Sequence, residues 1–371
     1  MKVALVHDYI YEFGGAERVL KALTEIFPDA PIYTSFVNKN HTAYPHFKSS
    51  KIVTSWVHKY IPFFKTGKLH SPLRFLAPLI WNSFDFSDYD LVISSASWYV
   101  TKGFRKKGAD TIEICYCHTP PRWLYGYPTS VELQKYWIVR VYAHIVGHFM
   151  RMYDFEAAQR VNHFIANSEN VKKRIWKFYR RDAKVIYPPV DLYRLGQVNK
   201  KDYYLVLSRI VGGKGIDLAV KAAEETGIKL KIAGKAAGYS QEYKRLQKIA
   251  KANVEFLGYV SDKQLVKLYS EAKAFLALAT DEDFGITPVE AMQAGTPVIA
   301  FRGGGYLESV VEGKTGVFFD KPTSKSLGEA IRKFEKMKFG AVDCIKQGQK
   351  FGKKRFVREI KDYVEAVTEV K

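Results

Sequence analysis

Short apolar segments alternate with amphipathic ones along most of this chain, and the alternation stops once and then restarts. Val3–Val6, Leu91–Ser95, Ile112–Tyr116 and His163–Ala166 read as buried strands, and Ala16–Phe27, Trp137–Val161 and Val171–Tyr179 carry helical patterns. Tyr187-Pro188-Pro189-Val190-Asp191 breaks the run, because adjacent prolines continue neither a helix nor a central strand. After the polar segment Gly196–Asp202, strands recur at Tyr204–Ser208, Lys229–Ala233, Val254–Leu257, Ala274–Leu278 and Pro297–Ala300. Helices fall between them around Asp217–Thr226, Gln241–Ala250, Asp262–Glu271 and Pro288–Ala294. Such alternation predicts a mostly parallel sheet covered on both faces, so two runs predict an α/β chain of two Rossmann-like domains. The expected boundaries are residues 1–190, residues 199–350, and a C-terminal helix in residues 351–371 that packs back toward the first domain.

With 371 residues, 47% of them hydrophobic, the chain has material for two cores. It holds no apolar run long enough for a membrane-spanning helix and opens on Lys2-Val3-Ala4-Leu5-Val6 without a secretory pattern. Cys115, Cys117 and Cys344 suit neither a disulfide framework nor a zinc knuckle, so a reducing cytoplasm is expected. The net charge of +20 is spread over both halves: residues 1–190 hold 26 Lys and Arg against 15 Asp and Glu. Such a balance attracts nucleic acid, anionic lipid or phosphorylated substrates. No zinc-finger spacing, RNP-like sequence or helix-turn-helix accompanies it, which leaves phosphate ligands and a membrane surface.

Open α/β sheets bind ligands beyond the carboxyl ends of their strands, so the loops there are where chemistry is sought. Ser208-Arg209-Ile210-Val211-Gly212-Gly213-Lys214-Gly215 directly follows an expected strand. Arg209 offers a fork of donors, Lys214 a point charge, and the glycines allow close backbone approach, which together suit a diphosphate. A solvated basic turn is the alternative. Thr280-Asp281-Glu282-Asp283-Phe284-Gly285-Ile286-Thr287-Pro288-Val289-Glu290 puts three acids after a strand, then a glycine, then a helix. Thr287 reads as its N-cap, Pro288 as its first residue and Glu290 as a capping-box partner. The backbone N–H groups of Gly285, Ile286 and Thr287 would then face a ligand. Gly14-Gly15 opens a helix after the first strand but lacks the full dinucleotide fingerprint. His118, in Cys117-His118-Thr119-Pro120-Pro121-Arg122-Trp123, lies just beyond a strand, where a structural or a catalytic histidine fits.

Glu282 and Glu290, eight apart, resemble the E-x(7)-E signature of glycosyltransferase family 4, a retaining family with the two-domain GT-B fold. Ser208-Arg209 with Lys214-Gly215, Phe256-Leu257-Gly258-Tyr259-Val260 and Gly303-Gly304-Gly305-Tyr306-Leu307-Glu308 match in the expected order. The resemblance covers nearly the whole chain. It implies parallel sheets facing each other across a cleft. By it, Arg209 and Lys214 would hold the donor diphosphate, Glu282 the transferred sugar and Glu290 the ribose hydroxyls. The backbone of Gly285, Ile286 and Thr287 would touch sugar and phosphate, and Val260 would lie by the base. His118 would sit near the donor sugar, and Gly14-Gly15 near the diphosphate or acceptor. Catalysis would thus fall to Arg209, Lys214, Glu282 and His118.

Cys117–Trp123 is similar to the corresponding segment of GDP-mannose-using mannosyltransferases of O-antigen and related glycan pathways, as is Glu282-Asp283-Phe284-Gly285-Ile286. The resemblance therefore implies mannose from GDP-mannose, with UDP-glucose or another nucleotide sugar as the alternative donor. Lys235-Ala236-Ala237-Gly238 departs from the Gly-Asp-Gly-Pro that relatives often carry. Asp88-Tyr89-Asp90 and Asp281-Glu282-Asp283 spell the D-x-D that holds a metal in another glycosyltransferase fold; without further grouped ligands, neither a required metal nor a cofactor is expected.

Residues Trp56 to Trp81 interleave aromatics with Lys59, Lys65, Lys68 and Arg74. They suit an interfacial segment on anionic lipid, or equally a packed insertion. The expected partners are a nucleotide-sugar donor, a glycan or polyprenyl-linked acceptor and the inner face of the cytoplasmic membrane, with nucleic acid disfavoured. From other classes, a non-catalytic sugar-nucleotide binder or a basic nucleic-acid-binding protein remains.

Overall fold

The computed structural model describes residues 1–66, 72–104, 110–127, 137–191, 198–210, 213–234 and 241–369. The chain divides into two compact units, one built from Met1–Tyr127, Gln134–Pro189 and Lys353–Lys371, the other centred on Val190–Gly352.

The first unit holds β1 (Val3–His7), β2 (Ile32–Thr34), β3 (Ile52–Thr54), β4 (Leu91–Ala96), β5 (Ile112–Cys117), β6 (His163–Ala166) and β7 (Lys184–Val185). They form one sheet in the order β3-β2-β1-β4-β5-β6-β7, with every pair parallel. The helices are α1 (Gly15–Ile26), α2 (Trp56–Tyr60), α3 (Pro62–Lys65), α4 (Ala77–Asn82), α5 (Trp137–Arg160) and α6 (Glu169–Tyr179). Alternate side chains point to opposite faces of a strand, and both faces here are covered. Leu5, Ile93 and Ile114 enter one core, whereas Ala4, Val6 and Val92 enter a second on the other side. β4 and β5 are consequently buried at every position. The strands β2, β3 and β7 are 3, 3 and 2 residues long, too short to announce themselves as apolar runs.

The second unit holds β8 (Tyr204–Leu207), β9 (Leu230–Ala233), β10 (Val254–Gly258), β11 (Ala274–Ala277), β12 (Val298–Phe301) and β13 (Gly316–Phe319). Their order is β10-β9-β8-β11-β12-β13, again all parallel. Its helices are α7 (Ile216–Thr226), α8 (Gln241–Ile249), α9 (Asp262–Glu271), α10 (Ile286–Gln293), α11 (Tyr306–Ser309), α12 (Ser324–Glu335) and α13 (Ala341–Gln349). β13 goes beyond the strands read from the sequence because it begins on a glycine, a poor strand former. Any Cβ at Gly316 would strike the backbone of Val298 on β12, so the edge pairing requires that residue.

The last helix, α14 (Lys353–Thr368), belongs to the first unit. Phe356, Ile360 and Val364 enter the same core as Leu5 and Ile93, and Lys353 pairs with Glu25 of α1. The Phe356 ring meets Tyr116 edge-on at 5.9 Å between centroids.

Candidate active site

Each sheet reverses its strand order once, between β1 and β4 in the first unit and between β8 and β11 in the second. The loops leaving the two strands at such a reversal run to opposite sides and open a crevice, which is where open α/β sheets take ligands. Gly14, Gly15, Arg209, Lys214 and Glu282 to Thr287 follow strands at these points, whereas His118 follows β5 and Val260 follows the edge strand β10.

In the second unit, Arg209 and Lys214 follow β8, and Glu282 follows β11. Gly215 makes the approach possible. Its φ is +70°, and a Cβ there would lie 2.9 Å from both the Cβ and the carbonyl oxygen of Leu278. The loop thus rests on the end of β11 and carries Lys214 Nζ to 2.8 Å from Glu282 Oε2. The pair is partly open to solvent, at 32% and 23% side-chain exposure, so both groups remain within reach of a ligand. Arg209 is exposed at the start of the same loop. Val211 and Gly212 lie outside the described residues, as does Lys235–Gly238.

The run Gly303-Gly304-Gly305 cradles the acidic loop. Gly305 N–H donates to the Glu282 carbonyl at 3.0 Å. A Cβ on Gly304 would sit 2.9 Å from the Glu282 nitrogen, and one on Gly305 would sit 2.7 Å from the Asp283 oxygen. Tyr306 completes the wall: its ring comes within 2.6 Å of where a Gly285 Cβ would be. Burial, reinforced by the neighbouring Glu282 carboxylate, pushes the Tyr306 phenol well above its ordinary range, so it stays protonated.

The start of α10 differs from the expectation. Its cap is Gly285 at φ +88°, with no side-chain cap, so Thr287 and Pro288 lie inside the helix and Glu290 is not a capping-box partner. Glycine alone adopts this φ without strain and can begin the helix two residues earlier; Pro288, still among the first four residues, sacrifices no intrahelical hydrogen bond. Glu290 is instead buried, at 1% exposure, and accepts a 2.8 Å hydrogen bond from Tyr269 of α9. Gly285, Ile286 and Thr287 present the first backbone N–H groups of α10 beside Glu282. Val260, half-buried, follows β10 just past Gly258.

In the first unit, polar side chains at the strand ends join into one chain. The Gly14 N–H donates to Glu17 Oε2 at 2.9 Å, and Glu17 Oε1 lies 3.4 Å from His7 Nε2. His7 Nδ1 is 3.0 Å from Ser95 Oγ, which is 2.8 Å from His118 Nε2. A hydroxyl has one proton to donate. In the tautomer with the His7 proton on Nε2, facing Glu17, Ser95 donates to His7 Nδ1 and accepts from the Nε2–H of His118. Asn167 fixes the backbone by donating to the His118 carbonyl at 2.9 Å. Gly15, at the tip of α1, is exposed.

His7, Asp8, Glu17 and Ser95 were not singled out from the sequence. For His7, Asp8 and Ser95 the signal is a polar residue at the end of a strand that flanks the reversal; Glu17 is an acid in the first turn of the helix that follows. Buried Asp8 accepts from the N–H groups of Ser97 and Trp98 at 3.1 and 2.6 Å and so ties the loop after β4 to β1. Asp90, in the first D-x-D, accepts from the Lys2 N–H at 2.6 Å where the chain enters β4, a structural task. Among the described residues no three His, Cys, Asp or Glu side chains gather as metal ligands.

Residues 13–194 match the family described as Glycosyltransferase Family 4, and residues 193–351 match Glycosyl transferases group 1. The chain is a GT-B glycosyltransferase of family 4. Among solved structures, this glycosyltransferase is similar to sucrose-phosphate synthase of Thermosynechococcus elongatus, with TM-score 0.75, 15% identity and full coverage of both chains (100% and 100%). Anabaena HepE in complex with UDP superposes with TM-score 0.72 at 18% identity, covering 99% of this chain and 100% of that one. Among curated proteins, the alpha-1,3/1,6-mannosyltransferase ALG2 of Mus musculus is 25% identical over 95% of this chain and 93% of its own. No helix among the described residues is long and apolar enough to cross a membrane.

Proposed function

We propose that this glycosyltransferase transfers mannose from GDP-mannose, with retention and without a divalent metal, to a glycan or polyprenyl-linked acceptor at the inner face of the cytoplasmic membrane. The observation that carries the reading is the Lys214–Glu282 pair at the β8/β11 reversal, with the N-terminus of α10 beside it. A cation, a carboxylate and the N–H groups of a helix N-terminus are the groups that a diphosphate bonded to a polyhydroxylated ring requires. The mannosyltransferase name of a relative aligned over 95% of the chain supports the sugar.

In the reaction, the bond from C1 to the phosphate oxygen breaks and its electron pair stays on the diphosphate. Lys214 and Arg209 stabilise that charge as it grows, so no metal is needed for the leaving group. The acceptor hydroxyl attacks C1 from the same face, and its proton passes to the departing phosphate oxygen. Glu282 holds sugar hydroxyls and keeps the Lys214 ammonium aimed. Glu290, oriented by Tyr269, takes ribose hydroxyls, and Val260 borders the base. His118 contacts the donor sugar from a position set by Ser95. The positive charge of the chain serves diphosphate and anionic lipid, not nucleic acid.

A thermal-shift panel with GDP, UDP, ADP and their sugar conjugates, with and without EDTA, tests this. A guanine-selective shift that survives EDTA is expected. A uracil-selective shift would replace the donor by UDP-glucose or a related sugar, and loss of the shift in EDTA would overturn the metal-free reading. Replacing Ser95 with alanine is expected to lower kcat/KM about tenfold while leaving the GDP-induced shift intact. An unchanged kcat/KM would remove Ser95 and His118 from the reaction.

A further inference from the structure

The outward face of α5 carries large apolar side chains where a water-facing helix carries charge. Trp137, Val141, Ile145, Phe149 and Met152 recur three or four residues apart, which aligns them in one stripe. Trp137 and Phe149 are 67% and 66% exposed. The opposite face of the helix is spoken for: Val146, Met150, Tyr153 and Ala157 pack into the core with Val57, Ile80 and Trp81.

The stripe continues onto neighbouring elements. The Tyr142 hydroxyl donates to the carbonyl of Pro72, and Trp56 Nε1 donates to the Leu79 carbonyl at 3.4 Å. These bonds join α5 to the turn before α4, and α4 to α2. Phe63, Phe75 and Leu79, all exposed, extend the apolar surface across them.

Its charge is one-sided. No Asp or Glu occurs from residue 30 to residue 84, although that stretch holds seven Lys and Arg. None occurs from Trp137 to Tyr153 either, where Arg140 and Arg151 stand. Of the 38 acidic residues of the chain, none thus falls on α2, α3, α4 or the first seventeen residues of α5; Asp154, buried, and Glu156 come only in its last turns. A protein partner or a second copy of this chain would be met by a surface of mixed sign; apolar side chains interleaved with cations, and with no acid between Trp137 and Tyr153, complement an anionic lipid surface.

We propose that α5, with α2, α3 and α4, is the membrane-docking face of this protein: it lies in the plane of an anionic bilayer with Trp137, Ile145 and Phe149 among the acyl chains and Arg140 at the headgroups. The inference rests on the membrane-face reading above but not on the identity of the donor. It moves the main contact from the segment Trp56–Trp81 to α5, which that segment supports.

The test is flotation of the full chain with vesicles of phosphatidylcholine alone and of equal parts phosphatidylcholine and phosphatidylglycerol. Binding to the anionic vesicles, weakened by salt, is expected. Phe149→Glu and Ile145→Glu should each weaken partitioning at least about tenfold, and Arg140→Ala about fivefold. Brominated lipid should quench the wild-type tryptophan emission, and Trp137→Phe should remove most of that quenching. Circular dichroism and the nucleotide-induced thermal shift of each variant report on folding and on the donor reading separately. No binding at low salt, or binding unchanged by Phe149→Glu and Ile145→Glu, would overturn the proposal. So would a wild-type dimer in solution that these two substitutions dissociate, since the stripe would then face a second copy.

Discussion

Lys214→Ala is expected to lower kcat/KM for GDP release from GDP-mannose about 100- to 1,000-fold. The Lys214 ammonium stands 2.8 Å from Glu282, at the strand reversal where a donor diphosphate would sit. Its charge is worth most when negative charge has moved onto the leaving phosphate, so kcat should fall more than KM rises. The fold should tolerate the change: an ion pair this open to solvent contributes about 1 kcal/mol or less to stability, and the melting temperature should move by a few degrees at most. Lys214→Arg keeps the charge but replaces a point donor with a planar fork, and partial activity is expected. Steady-state kinetics of the two variants decide the matter. A rise in KM at constant kcat would make Lys214 a ground-state ligand and leave charge stabilisation to Arg209.

Gly305→Ala should destabilise the second unit by about 1–3 kcal/mol and abolish donor binding with it. The φ of Gly305 is −67°, which any residue adopts, so the requirement is for space alone. A Cβ would press against the backbone of Asp283 and Phe284, neighbours of Glu282, and neither has a flexible end that could yield. Gly313→Ala provides the contrast. Its φ is +76° but nothing lies within 4 Å of the added carbon, so its cost is one of backbone conformation, about 1 kcal/mol. Urea denaturation should separate the two, and only Gly305→Ala should lose the nucleotide-induced thermal shift. Equal losses for both would mean that the Asp283–Phe284 backbone yields to the added carbon and that the close approach at Gly305 is not required.

The acidic loop illustrates how far local reading reaches. The segment Thr280–Glu290 is legible as a strand end, a turn and a helix because its signals are a glycine, a proline and an apolar run, all within one window. The start of α10 is not, because Thr287-Pro288 makes a good local N-cap while Gly285 is held at φ +88° under the ring of Tyr306, some twenty residues further on. Glu290 was read as a cap partner for the same reason, and its true hydrogen bond runs to Tyr269 on another helix. The short strands β2, β3 and β7 likewise exist only by pairing with neighbours, since two or three residues carry no period of their own.

The sequence by itself determined the doubly repeated α/β pattern, the family, and the loops after β1, β5, β8 and β11 that carry the candidate residues, because apolar periodicity, glycine and proline act over a few residues. Strand order was decided only by the tertiary structure, and with it the two reversals where the loops after β1, β8 and β11 open. So were the pairing of Lys214 with Glu282 across 68 residues and the chain from Glu17 through His7 and Ser95 to His118. Which face of α5 meets the core was settled there too, since its pattern is apolar on both sides. Parallel strands pair through crossovers, so which strand lies beside which depends on how whole helices pack on the two faces of the sheet, information that no local window contains.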